Sequence, residues 1–150
     1  MQPATLQELD DWMTAHCYPD SYAIGNRIIH EGYGLYREGS QFVWFYTERG
    51  IRENLQCFQT ESEAVAYAYA AITSDATANS HLIGFVNDQA EEQALLAELG
   101  ARGIAYRKDV IPVGGLHDKY SRIFVSGCDI RRVLDLRKKY GTWQQRCSQT

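Results

Sequence analysis

The 150-residue sequence has no apolar run that approaches the ~18 residues needed to cross a membrane as a helix. Its first residues, MQPATLQELDDW, are acidic and polar, without the basic start and apolar stretch of a secretory signal. With only 3 prolines it does not read as an extended linker. The four cysteines, Cys17, Cys57, Cys128 and Cys147, are widely spaced and form no CxxC pair. That excludes the common zinc and dithiol motifs and predicts reduced, mostly buried thiols in a cytoplasmic protein. No two of His16, His30, His81 and His117 share a helical i, i+3 or i+4 spacing with another ligand type, so neither a metal nor another cofactor is expected. Gly32-Tyr33-Gly34 and Val113-Gly114-Gly115 lack the strand–GxGxxG–helix context of a phosphate cradle and read as hairpin and loop glycines. No GxSxG elbow is present. Lysine is absent from the entire first half.

What remains is an ordinary globular composition, 45% hydrophobic and 23% charged. The net charge of −4 and pI near 5.5 argue against broad nucleic-acid binding. The charge is unevenly placed. Residues 1–80 hold four arginines against eleven Asp and Glu, whereas residues 81–150 are net basic. An acidic surface steers a basic partner into encounter. Tyrosine is abundant at 10 residues, five of them before residue 50.

The chain reads as one α+β domain over residues 1–150, with subregions 1–75 and 80–150. Thr5 and Glu8 form a capping box for a helix to about Cys17, with Leu6, Leu9 and Met13 at helical spacing. From Tyr22 the period becomes two. Strands are predicted at about 22–30, 33–38, 41–48 and 51–58, broken at Glu31-Gly32, Gly39-Ser40 and Arg49-Gly50. Breaks this short imply a four-stranded antiparallel meander. In QFVWFYTE, Phe42, Trp44 and Tyr46 point one way and Val43 and Phe45 the other, as in a central strand covered on both faces. Thr60 and Glu63 cap a second helix, EAVAYAYAAI, apolar nearly all round and expected to be buried. Segment 74–80, SDATANS, is the internal boundary. A βαββα, ferredoxin-like half follows: a strand over 81–86, a helix capped by Asn87 or Asp88 and running to about Leu99, strands over 104–113 and 122–126, and one last helix. That helix runs from Asp129 to Gly141, with Ile130, Val133, Leu134 and Arg137 along one side.

The segments YGLYREGSQFVWFYTERG and FVWFYTERGIRENLQCFQTESEAVAYAY combine an aromatic strand, a Glu-Arg-Gly turn, a polar strand and a capped helix. In this order of elements the chain resembles the small immunity proteins of bacterial polymorphic toxin systems. The resemblance implies a protein without active site or cofactor that binds and occludes a cognate toxin domain. Against a basic nuclease, its acidic residues would compete with the phosphate substrate. The basic last helix, with Arg131, Arg132, Arg137, Lys138 and Lys139, departs from that pattern. Tyr and Arg anchor protein interfaces because they bury large area while keeping a polar tip. Candidate contacts are therefore Tyr33, Tyr36, Glu38, Glu48, Arg49 and Glu53, with Asp10, Asp11 and Asp20 as steering charges. Two other readings remain open. The βαββα half could be a small-ligand-binding regulatory module with the Gly114-Gly115 loop at its ligand. An enzyme would need His117, Asp118 and Cys128 to converge on a pocket.

Overall fold

The computed structural model describes residues 2–115 and 118–147. The architecture is α+β, with one four-stranded and one three-stranded sheet. The chain forms two compact units, Met1–Asn79 and Ser80–Thr150. No helix among the described residues is long and apolar enough to cross a membrane.

In the first unit, helix α1 (Leu6–Ala15) starts where Thr5 Oγ1 accepts the Glu8 N–H at 3.0 Å. It buries Leu9 and Met13. Strand β1 is only Ala23–Ile24 and pairs parallel with β2 (Glu31–Glu38). The expected strand over 22–30 and the all-antiparallel meander are thus corrected. The cause is local: Gly25 takes φ +64 directly after Ile24, and the Arg27 N–H closes a turn onto the Ile24 carbonyl. The chain then travels back far enough to lie alongside itself in the same direction. Strand β2 in turn begins at Glu31, through the predicted break. Gly32 and Gly34 are therefore glycines within a strand, and Gly34 has a packing reason. A Cβ there would stand 2.5 Å from the Phe45 ring and 2.7 Å from the Ala23 carbonyl oxygen.

Strands β2, β3 (Gln41–Glu48) and β4 (Ile51–Phe58) form an antiparallel meander in the order β1-β2-β3-β4. Phe42, Val43, Trp44 and Phe45 are all buried, so β3 is covered on both faces. Helix α2 (Glu61–Ser74) is capped by Thr60 and lies on the Trp44 face, with Tyr67 edge-on to Trp44 at 5.6 Å. It buries one stripe, Ala64, Val65, Ala68 and Ile72, rather than its whole circumference. Alanine tolerates solvent at the other positions, and Tyr67 is itself exposed. These residues join Leu9, Met13, Ile24, Leu35 and Trp44 in one core.

In the second unit, β5 (Ser80–Val86), β6 (Arg107–Pro112) and β7 (Lys119–Ser126) lie in the order β5-β7-β6. β7 is antiparallel to both neighbours, so β5 and β6 run parallel on either side of it. Helix α3 (Gln89–Ala101) connects them, and this split βαβ is the ferredoxin-like half. Asp88 caps α3, accepting the Glu91 N–H at 3.2 Å. β6 is shorter and β7 longer than expected. The single last helix is also corrected. A 3₁₀ turn over Gly127–Arg132 is followed by α4 (Leu134–Tyr140) and α5 (Trp143–Cys147). The break at Val133 shifts the helical phase. Ile130, Val133, Leu136 and Tyr140 are buried, and Leu134 is left outside. The cysteines depart from expectation too: Cys17 and Cys128 are disulfide-bonded rather than reduced, and the free Cys57 and Cys147 are exposed rather than buried, on an edge strand and a short terminal helix.

Candidate functional site

The β3–β4 hairpin closes through Arg49-Gly50, with φ of +54 and +80, the geometry of a tight type I′ turn. Glu48 pairs with Ile51 across this turn, Tyr46 with Glu53, Glu31 with Glu48 and Tyr33 with Tyr46. Residues two apart on a strand share a face, as do residues directly opposite. Glu31, Tyr33, Tyr46, Glu48, Ile51 and Glu53 therefore occupy one face at one end of the sheet. A bulge in β4 at Leu55 sets the register that puts Ile51 and Glu53 there.

The patch is built around two rings. Tyr33 stacks on Trp44 at 5.7 Å and meets Tyr46 edge-on at 5.1 Å. Trp44 is fixed by α2, so the rings stand on a rigid base. Tyr33 remains 42% exposed and Ile51 74%. The Tyr46 hydroxyl donates to Glu31 at 3.2 Å. Loss of hydration, then the charge and hydrogen bond of Glu31 and the charge of Glu48, raise the Tyr46 pKa above its ordinary value. Among the described residues, no Lys, Arg or His lies within ion-pair distance of Glu31, Glu48 or Glu53. Two open hollows meet there. One of about 610 Å³ is lined by His30, Glu31, Thr47, Glu48 and Arg49 among others, and one of about 350 Å³ by Tyr46, Glu48, Arg49, Ile51 and Glu53. No three His, Cys, Asp or Glu side chains among the described residues are placed to hold a metal ion. The arrangement is thus an acidic, aromatic surface patch whose three carboxylates have no ion-pair partner among the described residues, with Arg49 at its rim.

The structure brings together Tyr33, Glu48, Arg49 and Glu53 of the sequence candidates. Tyr36 lies on the opposite face, where its ring meets Phe45 and the Arg52 guanidinium sits 4.4 Å above it. Its hydroxyl donates to Glu38 at 2.9 Å. Glu38 is at the far end of β2, an eight-residue strand away from Glu31. Neither can join Tyr33 on one flat interface, because 33 and 36 differ in parity. Asp10 and Asp20 are engaged by Arg27, at 2.7 and 3.4 Å, which pins the β1–β2 connection to α1. Asp11 accepts from Gln7. These three carboxylates belong to the α1 region, and Asp10 and Asp20 have their counterion. Sequence reasoning missed Glu31, Tyr46 and Ile51. Extending the period-two count outward from Tyr33, Glu48 and Glu53 reaches all three.

The second unit offers a hollow of about 250 Å³ between Phe85, Tyr120, Trp143 and Arg146. That is below the ~300 Å³ at which small-molecule sites begin. Its Arg146 guanidinium is committed to the carbonyls of Phe85, Tyr140 and Gly141. Gly114-Gly115 borders residues 116 and 117. His117, with the enzyme reading that needs it, lies outside the described residues. Asp118 is exposed, at the mouth of the loop.

Comparison of the chain with protein-family models, with curated proteins and with solved structures finds no match.

Proposed function

We propose that this chain is an immunity-type inhibitor, binding a basic face of a cognate toxin domain and occluding it by contact. The observation that carries the reading is the end of the first sheet. Three carboxylates without counterions among the described residues surround two tyrosines, Tyr33 stacked on Trp44 and Tyr46 packed edge-on against Tyr33. A strand pair with Glu opposite Glu is unfavourable in the isolated protein. It becomes favourable when a lysine or arginine from outside lies between the two. The tyrosines and Ile51 supply the apolar area that such an interface needs at its centre, and the carboxylates supply steering and register. Inhibition then follows from coverage: a toxin whose basic substrate-binding surface is occupied cannot receive its substrate.

The test is co-expression with a candidate toxin domain taken from the genes neighbouring this one. Wild-type protein restores growth, and the Glu48→Lys, Glu53→Lys variant, folded by circular dichroism, does not. Equal protection by both proteins would remove this face from the mechanism. Failure of the wild type to protect would remove the inhibitor reading itself.

A further inference from the structure

We infer that the partner is recognised by strand addition: an extended cationic segment pairs with the outer edge of β4. This rests on the docking face proposed above and specifies how it is engaged.

The first argument is the state of the sheet edges. An unpaired edge presents backbone N–H and C=O groups to any strand that fits. β5 is closed, since Gln145 donates to the Leu82 carbonyl at 3.1 Å and Arg146 to that of Phe85 at 3.2 Å. β6 carries Pro112 and a charged start, Arg107-Lys108-Asp109. The β2 edge is interrupted in its middle by β1. Among the described residues, β4 alone is a long terminal strand, exposed at every residue from Ile51 to Cys57, with neither proline nor lysine.

The second argument is register. With a two-residue turn, the flanking pair Glu48–Ile51 exchanges hydrogen bonds, and the pattern alternates from there. Arg52 and Asn54 consequently turn their backbone N–H and C=O outward. On the docking face, β4 places Glu53 between them, next to Glu48 through Ile51. The opposite face carries Arg52, whose guanidinium lies 4.2 Å over Phe45. An incoming strand is therefore favoured with its basic residues on the glutamate side and uncharged residues on the Arg52 side. The edge supplies affinity, and the two faces fix which way the strand lies.

The probe is an eight-residue peptide of alternating lysine and valine, followed by fluorescence anisotropy. Asn54→Pro removes one outward N–H without touching the docking face, and Asn54→Ala keeps it. Wild type and Asn54→Ala should bind within twofold of each other, and Asn54→Pro at least tenfold more weakly. Amide exchange of wild-type protein supplies a readout independent of any variant: the Arg52 and Asn54 amides should become protected when peptide is bound. No measurable binding, or undiminished binding by Asn54→Pro with both amides unprotected, would overturn strand addition. In the latter case, loss of binding in Glu48→Lys, Glu53→Lys would leave the docking face standing. Loss in Asn54→Pro with no effect of those reversals would instead sink the docking face and keep the edge.

Discussion

Replacing Glu48 by Gln should stabilise the free protein. Glu31 and Glu48 are directly opposite across β2 and β3. Because β3 alternates its hydrogen bonds between neighbours and Glu48 bonds to β4, the Glu31–Glu48 pair is a non-hydrogen-bonded one. In such pairs the side chains approach most closely. Like charges directly opposite cost a few tenths of a kcal/mol, up to ~1 kcal/mol, at an exposed site. Glutamine keeps the length and strand fit of Glu48 while removing one of the two charges. For a chain of 150 residues, a gain of ~0.5 kcal/mol corresponds to a rise of roughly 1–2 °C in Tm. The assay is urea denaturation at low salt and again at ~0.5 M salt. The gain should appear as a higher midpoint with unchanged slope, and it should shrink with salt, because screening already relieves the wild type. A loss of stability, or a gain indifferent to salt, would refute the claim that these carboxylates stand uncompensated. The same substitution should weaken partner binding, so stability and function should move in opposite directions.

Gly34→Ala should destabilise by about 1–3 kcal/mol, because the new Cβ meets the Phe45 ring and the Ala23 backbone together, and neither can yield alone. Gly84→Ala should cost less, since the nearest obstacle is the end of the Leu95 side chain; chemical denaturation of both variants checks the order. On the acid side, Asp75 accepts from the Thr77 N–H and hydroxyl and from the Tyr22 hydroxyl, which holds its carboxyl below its ordinary pKa. A depressed carboxyl stabilises the fold above its unfolded pKa of ~4, and that contribution is lost as pH falls through the folded value. Asp75→Asn should therefore flatten the decline in Tm below about pH 4, and an unchanged decline would contradict this.

The elements legible in the sequence were those with a local cause. Thr5, Thr60 and Asp88 each fix a helix start by accepting an N–H three residues on. The two-residue gaps at Gly39-Ser40 and Arg49-Gly50 allow only hairpins. What escaped was decided at a distance. The shortness of β1 depends on Gly25 and on the grip of Arg27 on α1, and periodicity carries neither. The phase slip at Val133 follows from a 3₁₀ turn whose residues still read as a helix. For the site, composition pointed to the Arg49-Gly50 hairpin tip. Proximity in sequence then misled: Tyr33 and Tyr36 are neighbours on the chain but face opposite ways. Glu31, hidden behind a predicted break, turned out to face Glu48.

The most direct measurement is the association rate of the purified chain with the proposed toxin-domain partner, followed by stopped flow over a range of ionic strength. A wild-type rate that falls steeply with salt, and a slower, nearly salt-independent rate once Glu31, Glu48 and Glu53 are all glutamine, is the predicted result. Rates that coincide for the two proteins at every salt concentration would contradict the account.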